Sequence, residues 1–153
     1  MSQIGPLTRA IFIALAANTC RAADQGELTP YPYAYARRDC APWDGPAFSV
    51  VLTDTPAQPD SLTTSFLRIA VWRGIESAIG RTLAWEGTTS QVGTASRCQA
   101  DGRCEEASRG EIRVEWRTAD SLLGGEFRVD FGRTRSERGR FTAAWVPDRV
   151  MCG

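Results

Sequence analysis

The sequence predicts an all-β fold: an antiparallel β-sandwich of about eight strands, with a small β-barrel as the alternative. Apolar and polar residues alternate with a period of two in short runs, and these runs are bounded by Gly, Pro, Asp and Ser. No long stretch has a helical period. The chain has 153 residues, which is enough for one domain with a substantial core and too few for two ordinary domains.

The clearest alternation is in "EIRVEWR" (111–117), where Ile112, Val114 and Trp116 share one face and charged residues occupy the other. "GEFRVDF" (125–131) repeats the pattern, so a pair of these strands would carry a ladder of opposite charges. "PAFSVVLT" and "SFLRIAVWR" are continuously apolar, as expected of strands covered on both faces. "GIESAIG" predicts one short helical turn. The predicted strands are 46–53, 65–73, 81–86, 91–98, 103–108, 110–117, 124–132 and 139–147.

The N-terminus has the layout of a secretory signal peptide at residues 1–22, with Arg9 before an apolar run and small residues after it. The run is too short to span a bilayer, so no transmembrane segment is expected in the mature chain. The alternative is a lipoprotein signal in which Cys20 is lipidated. We expect an extended lead-in at 23–45 and a single domain at 46–153, in a periplasmic or secreted protein or one anchored to a membrane through Cys20.

Four cysteines remain after Cys20, and an even number in an exported chain favours two disulfides. In "CQADGRC", a three-residue loop with Gly102 in the left-handed position would place Cys98 opposite Cys104. Cys40 would then pair with Cys152, although four cysteines permit three pairings. The spacing matches neither a redox CxxC nor a zinc motif, so no metal site and no cofactor is expected.

The composition excludes most of the side chains that enzymes use as general bases or nucleophiles. All 18 cationic residues are Arg, and the chain has neither Lys nor His, which fits a GC-rich bacterial genome. The usual general base, the histidine-activated nucleophiles and Schiff-base lysines are therefore absent. The net charge is zero, and it falls to −2 when Arg9 and Arg21 leave with the signal, so the charge gives no case for nucleic acid.

Two surfaces are candidate binding sites. Trp72 is out of phase with the apolar face of its strand and shares a face with Arg68, whereas Trp85, Trp116 and Trp145 are in phase with apolar neighbours and are predicted to lie in the core. "RTRSERGR" (133–140) carries four arginines between two strands and could bind an anionic surface, although a solvated hairpin tip is the commoner state of such a loop. Its arginines are Arg133, Arg135, Arg138 and Arg140.

These observations favour an exported, non-catalytic binding or envelope-associated module, whose partner could be an envelope protein, a polysaccharide or an anionic surface. One alternative is a carboxylate-dependent hydrolase of an envelope polymer, and another is a structural lipoprotein. The acidic residues around the first predicted strand are better explained as turn formers than as catalytic groups. They are Asp39, Asp44, Asp54 and Asp60.

The C-terminal part of the chain resembles small exported bacterial β-sandwich proteins of unknown function. The resemblance rests on "GGEFRVDF", "GRFTAAW" and the terminal "CG", preceded by the "CQADGRC" hairpin, and covers roughly the last 60 residues. It implies no activity, substrate or site.

Overall fold

The computed structural model of the protein describes residues 31–56, 64–147 and 152. These residues form nine strands and one helical turn, which confirms the all-β class and the short turn. The elements are β1 (Tyr33–Cys40), β2 (Pro46–Thr53), β3 (Phe66–Val71), α1 (Ile75–Ala78), β4 (Thr82–Glu86), β5 (Gly93–Cys98), β6 (Cys104–Glu106), β7 (Arg109–Arg117), β8 (Leu122–Phe131) and β9 (Arg135–Val146). The predicted signal peptide and Cys20 lie outside the described residues.

All nine strands belong to one open sheet in the order β4-β7-β8-β9-β1-β2-β3-β5-β6. Every neighbouring pair is antiparallel except β1 and β9, which are parallel, with Ala36 beside Trp145. The prediction of a purely antiparallel architecture is wrong at this pair. The sheet is mixed because β1 and β9, the first and last strands in the sequence, run in the same direction where they pair at the junction of its two halves.

The sheet begins at Tyr33, rather than at Pro46 as the alternation predicts. Strand β1 forms within the expected lead-in and lies at the centre of the sheet, antiparallel to β2 along its whole length. Its sequence, "YAYARRDC", does not alternate apolar with polar residues, because Tyr35 and Ala36 are buried on opposite faces of the strand. Residues 33–45 are thus part of the folded domain.

The inward faces of both halves of the sheet form one hydrophobic core. Phe48, Val50 and Leu52 of β2 lie in it, together with Ile112 and Val129 from the other half. Trp85 of β4 reaches across to β5, where a Cβ atom added at Gly93 would lie 3.5 Å from the indole. The sheet therefore coils around a single core.

Trp116 is 38% exposed, so its predicted place in the core is wrong. A β-bulge between Val114 and Trp116 shifts the register of β7 against β8 and turns the indole to the outer face. There the ring covers Gly124, where an added Cβ would lie 2.1 Å from it. Trp85 is buried as predicted, whereas Trp145 is half-buried.

Both predicted disulfides are present. Cys98 lies opposite Cys104 in the β5–β6 hairpin, and Gly102 has φ of +84° in the predicted three-residue loop. The two Cα atoms are only 4.0 Å apart, so the strands approach closely at the bridge. Cys40, at the end of β1, bonds to Cys152 across a sequence separation of 112 residues. In the described part of the chain, no helix is long and apolar enough to cross a membrane.

Candidate functional site

The outer face of β4, β7, β8 and β9 carries alternating charges. Across β7 and β8, Glu111 lies opposite Arg128, and Arg113 lies opposite Glu126 at an ion-pair distance of 3.9 Å. The predicted charge ladder is therefore confirmed. It exists because the polar residues of both strands point away from the core in the same register.

A groove crosses one end of this face, from β4 to the β8–β9 turn. It consists of two adjoining clefts, each of about 410 Å³, which share Arg109, Arg128 and Asp130 as lining residues. We call it the arginine groove. Its charged lining residues are Glu86, Arg109, Glu111, Arg128, Asp130, Arg133 and Arg135.

Asp130 lies at the centre of the arginine groove, and only 10% of its side chain is exposed. Its carboxylate accepts a hydrogen bond of 2.6 Å from Nε of Arg109, and its other oxygen lies 3.7 Å from Nε of Arg128. Burial raises the pKa of Asp130, but hydrogen bonds from Ser136 and Arg109 and the charges of both arginines outweigh it and leave the pKa lowered. The Asp130 carboxylate is thus ionised and lies between the guanidinium groups of two arginines.

The four arginines of residues 133–140 do not form one surface, because β9 starts at Arg135 and the turn is only three residues long. Arg133 lies in that turn and lines the arginine groove. Arg135 stacks over the Phe131 ring at 5.1 Å, while Arg138 lies opposite Arg128 across the β8–β9 pair. Arg140 pairs with Glu115 at 2.7 Å.

Arg68 and Trp72 lie in the other half of the sheet, on and just after β3. Arg68 forms an ion pair with Asp39 of β1, and it lies opposite Val51 of β2. Trp72 is half-buried and donates its backbone N–H to the carbonyl oxygen of Val92 at 2.9 Å. The two residues are four positions apart, roughly 13 Å along an extended strand.

A buried carboxylate lies at the Arg135 end of the core. Glu137 is 4% exposed and accepts hydrogen bonds from the Tyr31 hydroxyl at 2.7 Å, from Nη2 of Arg135 at 2.9 Å, and from Arg97. Burial raises the pKa of Glu137, but these partners outweigh it and lower the pKa below its usual range. The pKa of Tyr31 is raised by burial and by the hydrogen bond to Glu137, so the phenol stays neutral.

A more apolar cleft of about 610 Å³ lies beside the Cys40–Cys152 disulfide. The guanidinium of Arg117 covers the Trp145 ring at 4.9 Å and bonds to Glu76 at 2.6 Å. Arg117 therefore covers one face of the Trp145 indole, and that face is not open to a ligand in this cleft.

The aspartates around β2 have local structural partners. Asp44 has φ of +62° in the turn before β2, and Asp54 accepts a hydrogen bond of 3.1 Å from Thr64. Asp39 accepts from the backbone N–H of Cys40 at 3.0 Å, and Asp60 lies outside the described residues. Among described residues, no group of three or more His, Cys, Asp or Glu side chains is placed to hold a metal ion.

Sequence reasoning missed the Asp130 and Glu137 clusters, although signals for both exist. If the charge ladder pairs Glu111 with Arg128, extending that pairing by two residues places Arg109 opposite Asp130. Glu137 is in phase with the buried Phe141 and Ala143, so a longer β9 directs it inward. Tyr31 and Arg97 come from distant parts of the chain, and no local pattern brings them to Glu137.

The fold and the arginine groove together define a disulfide-bonded, strand-rich domain with a charged outer face. No family model, curated protein or solved structure matches the chain.

Proposed function

We propose that the protein is an exported module that binds an anionic group of an envelope component in the arginine groove and performs no catalysis of its own. The observation that carries this proposal is the arrangement around Asp130. The carboxylate engages Nε of Arg109 and lies close to Nε of Arg128, while 62% and 48% of the two arginine side chains remain exposed. The Arg109 guanidinium, which Asp130 holds at Nε, still has Nη donors with which it can bind an anion.

The two disulfides support export, because disulfides persist in oxidising compartments and are rare in the cytosol. Intact mass after expression in an exporting bacterial host tests this part. We expect a chain that starts near Ala23 and accepts four alkyl groups, but only after reduction. A diacyl or triacyl mass on Cys20 would instead support the lipid-anchored alternative. Alkylation without reduction would contradict the proposed disulfide-bonded exported form.

The pKa directions support a non-catalytic role. Asp130 and Glu137 both have lowered pKa values, so both are ionised at neutral pH and neither is suited to donate a proton. Each carboxylate is instead engaged by arginines, as in structural ion pairs.

Cosedimentation with isolated bacterial envelopes tests the binding function. We expect binding that weakens with rising salt and is reduced at least tenfold in an Arg109→Ala, Arg128→Ala double variant, because arginine forks supply the charge-assisted bonds. The matched control is Arg103→Ala, whose side chain is 77% exposed at the hairpin and pairs locally with Asp101. Equal binding by the double variant and the wild type would overturn the proposal.

One observation favours the hydrolase as a second candidate, since three carboxylates line the same cleft: Glu86, Glu111 and Asp130. A glycosidase requires two carboxyl groups about 5–9.5 Å apart, one of which is protonated. Release of new reducing ends from envelope polysaccharide, abolished by Glu86→Gln or Glu111→Gln, would establish this function. Binding without any release supports the non-catalytic module.

We also infer that the coiled sheet is organised as a sandwich. One layer is β4-β7-β8-β9 and the other is β1-β2-β3-β5-β6, and the parallel β9–β1 pair connects them. The shared core between the layers supports this description.

A further inference from the structure

The arginine groove has the mixed charge expected of a site for a hydroxyl-rich ligand with few negative groups. Four arginines and three carboxylates line its two clefts. Glu86 and Glu111 line the β4 end, where Ala84 leaves space between longer side chains. These carboxylates would repel a dense polyanion, but they can accept hydrogen bonds from sugar hydroxyl groups.

The arginines concentrate toward the other end of the groove. Arg133 lines that end, next to the Arg109–Asp130–Arg128 cluster. A bound carboxylate would accept charge-assisted hydrogen bonds from the guanidinium groups at this end.

We propose that the groove binds an acidic sugar, with one carboxylate near Arg109, Arg128 and Arg133 and with ring hydroxyls donating to Glu86 and Glu111. This inference rests on the proposed binding function and names its ligand class. Each cleft is of the size that small-ligand sites commonly have.

Isothermal titration calorimetry with three probes tests the inference. The probes are a tetrasaccharide that alternates glucuronate with N-acetylglucosamine, a neutral N-acetylglucosamine tetramer, and inorganic phosphate. We expect the acidic tetrasaccharide to bind at least tenfold more tightly than either other probe. Tighter binding of phosphate, or equal binding of the neutral tetramer, would overturn the acidic-sugar assignment.

Glu111→Ala separates a sugar from a simple anion, because it removes both the negative charge and the hydrogen-bond acceptors. If Glu111 accepts a hydroxyl hydrogen bond, the variant binds the acidic tetrasaccharide several-fold more weakly. If the ligand were recognised by charge alone, removing a negative charge would strengthen binding, which would contradict the proposal. Arg133→Ala, at an exposed turn position, is expected to weaken binding several-fold without disturbing the fold, whereas Arg103→Ala is expected to bind like the wild type.

Failures of the two proposals are distinguishable. Loss of envelope binding in the Arg109→Ala, Arg128→Ala variant, with no affinity of the wild type for the acidic tetrasaccharide, overturns the ligand class alone. Envelope binding that is unchanged in the double variant overturns the groove as the binding surface. Circular dichroism of each variant checks that its strands remain folded.

Discussion

Glu137 shows how one buried charge couples stability to pH. Its lowered pKa means that the ionised carboxylate stabilises the fold above the unfolded-state pKa of about 4.3, and that this contribution is lost as pH falls through the folded-state pKa. We expect Glu137→Gln to lower the free energy of unfolding at pH 7 by about 2 kcal/mol, less than for a fully buried pair because Arg97 and Arg135 are partly exposed.

Urea denaturation between pH 3 and pH 7 measures this effect. The difference between wild type and Glu137→Gln is expected to shrink as the pH falls below about 4.3, because the unfolded wild-type chain then binds a proton that the folded carboxylate, with its lowered pKa, does not yet bind. Glu105→Gln is the matched control, since Glu105 is 54% exposed and also pairs with Arg135, and its cost is expected to stay below about 1 kcal/mol. A difference that does not vary with pH would show that Glu137 acts through packing alone.

Two glycines under tryptophan rings give a paired prediction. A Cβ atom at Gly110 would lie 2.2 Å from the buried Trp85 ring, and one at Gly124 would lie 2.1 Å from the exposed Trp116 ring. Trp116 can move into solvent, but Trp85 is enclosed by the core. We expect Gly110→Ala to cost about 2–3 kcal/mol and Gly124→Ala less than about 1 kcal/mol, as measured by thermal unfolding. Equal costs would contradict this account.

Strands β7 and β8 show which buried residues the alternation of apolar and polar residues can predict. It places Ile112, Val114 and Phe127 in the core, because each follows the two-residue period of a regular strand. It fails at Trp116, because a bulge adds a residue that leaves no mark in the hydrophobic pattern. The Asp130 cluster depends on register between strands, which the sequence of one strand does not contain.

At the scale of elements, the two disulfides constrain the chain very differently. The Cys98–Cys104 bridge closes a separation of six residues within one hairpin, whereas Cys40–Cys152 closes 112 residues. In the chain-entropy model, their removal costs about 2 and about 5 kcal/mol, respectively. We expect the Cys40→Ser, Cys152→Ser variant to melt well below the Cys98→Ser, Cys104→Ser variant in calorimetry. The reverse order would show that native contacts, rather than loop length, decide the effect.

Strand β1 explains why the sequence predicts the elements better than their arrangement. The sequence predicts strand β2 with its observed bounds, since turn residues flank a continuous apolar run. Strand β1 has no such signal, because alanines are poor strand formers and its two tyrosines point to one face. Its central position depends on pairing with β2 and β9, and the latter begins about a hundred residues later in the sequence.

At the scale of the whole molecule, the shared core predicts one cooperative unfolding transition. Val50 of β2 and Val129 of β8 lie in different halves of the sheet, and both are fully buried in the same hydrophobic cluster. With both disulfides intact, we expect Val50→Ala and Val129→Ala each to cost about 2 kcal/mol, because each leaves a cavity in the core.

The two variants distinguish one folding unit from two. Tryptophan fluorescence includes the signal of Trp85, which lies in the β4–β7–β8 half, while far-ultraviolet circular dichroism reports on all strands. If the sheet unfolds as one unit, Val50→Ala shifts both signals to the same lower midpoint, although the substitution lies in the other half. If the fluorescence and circular dichroism gave different midpoints, the halves would unfold separately. The parallel β1–β9 pair and the common core would then be too weak to couple the two halves of the sheet. A single cooperative core requires that the two midpoints coincide.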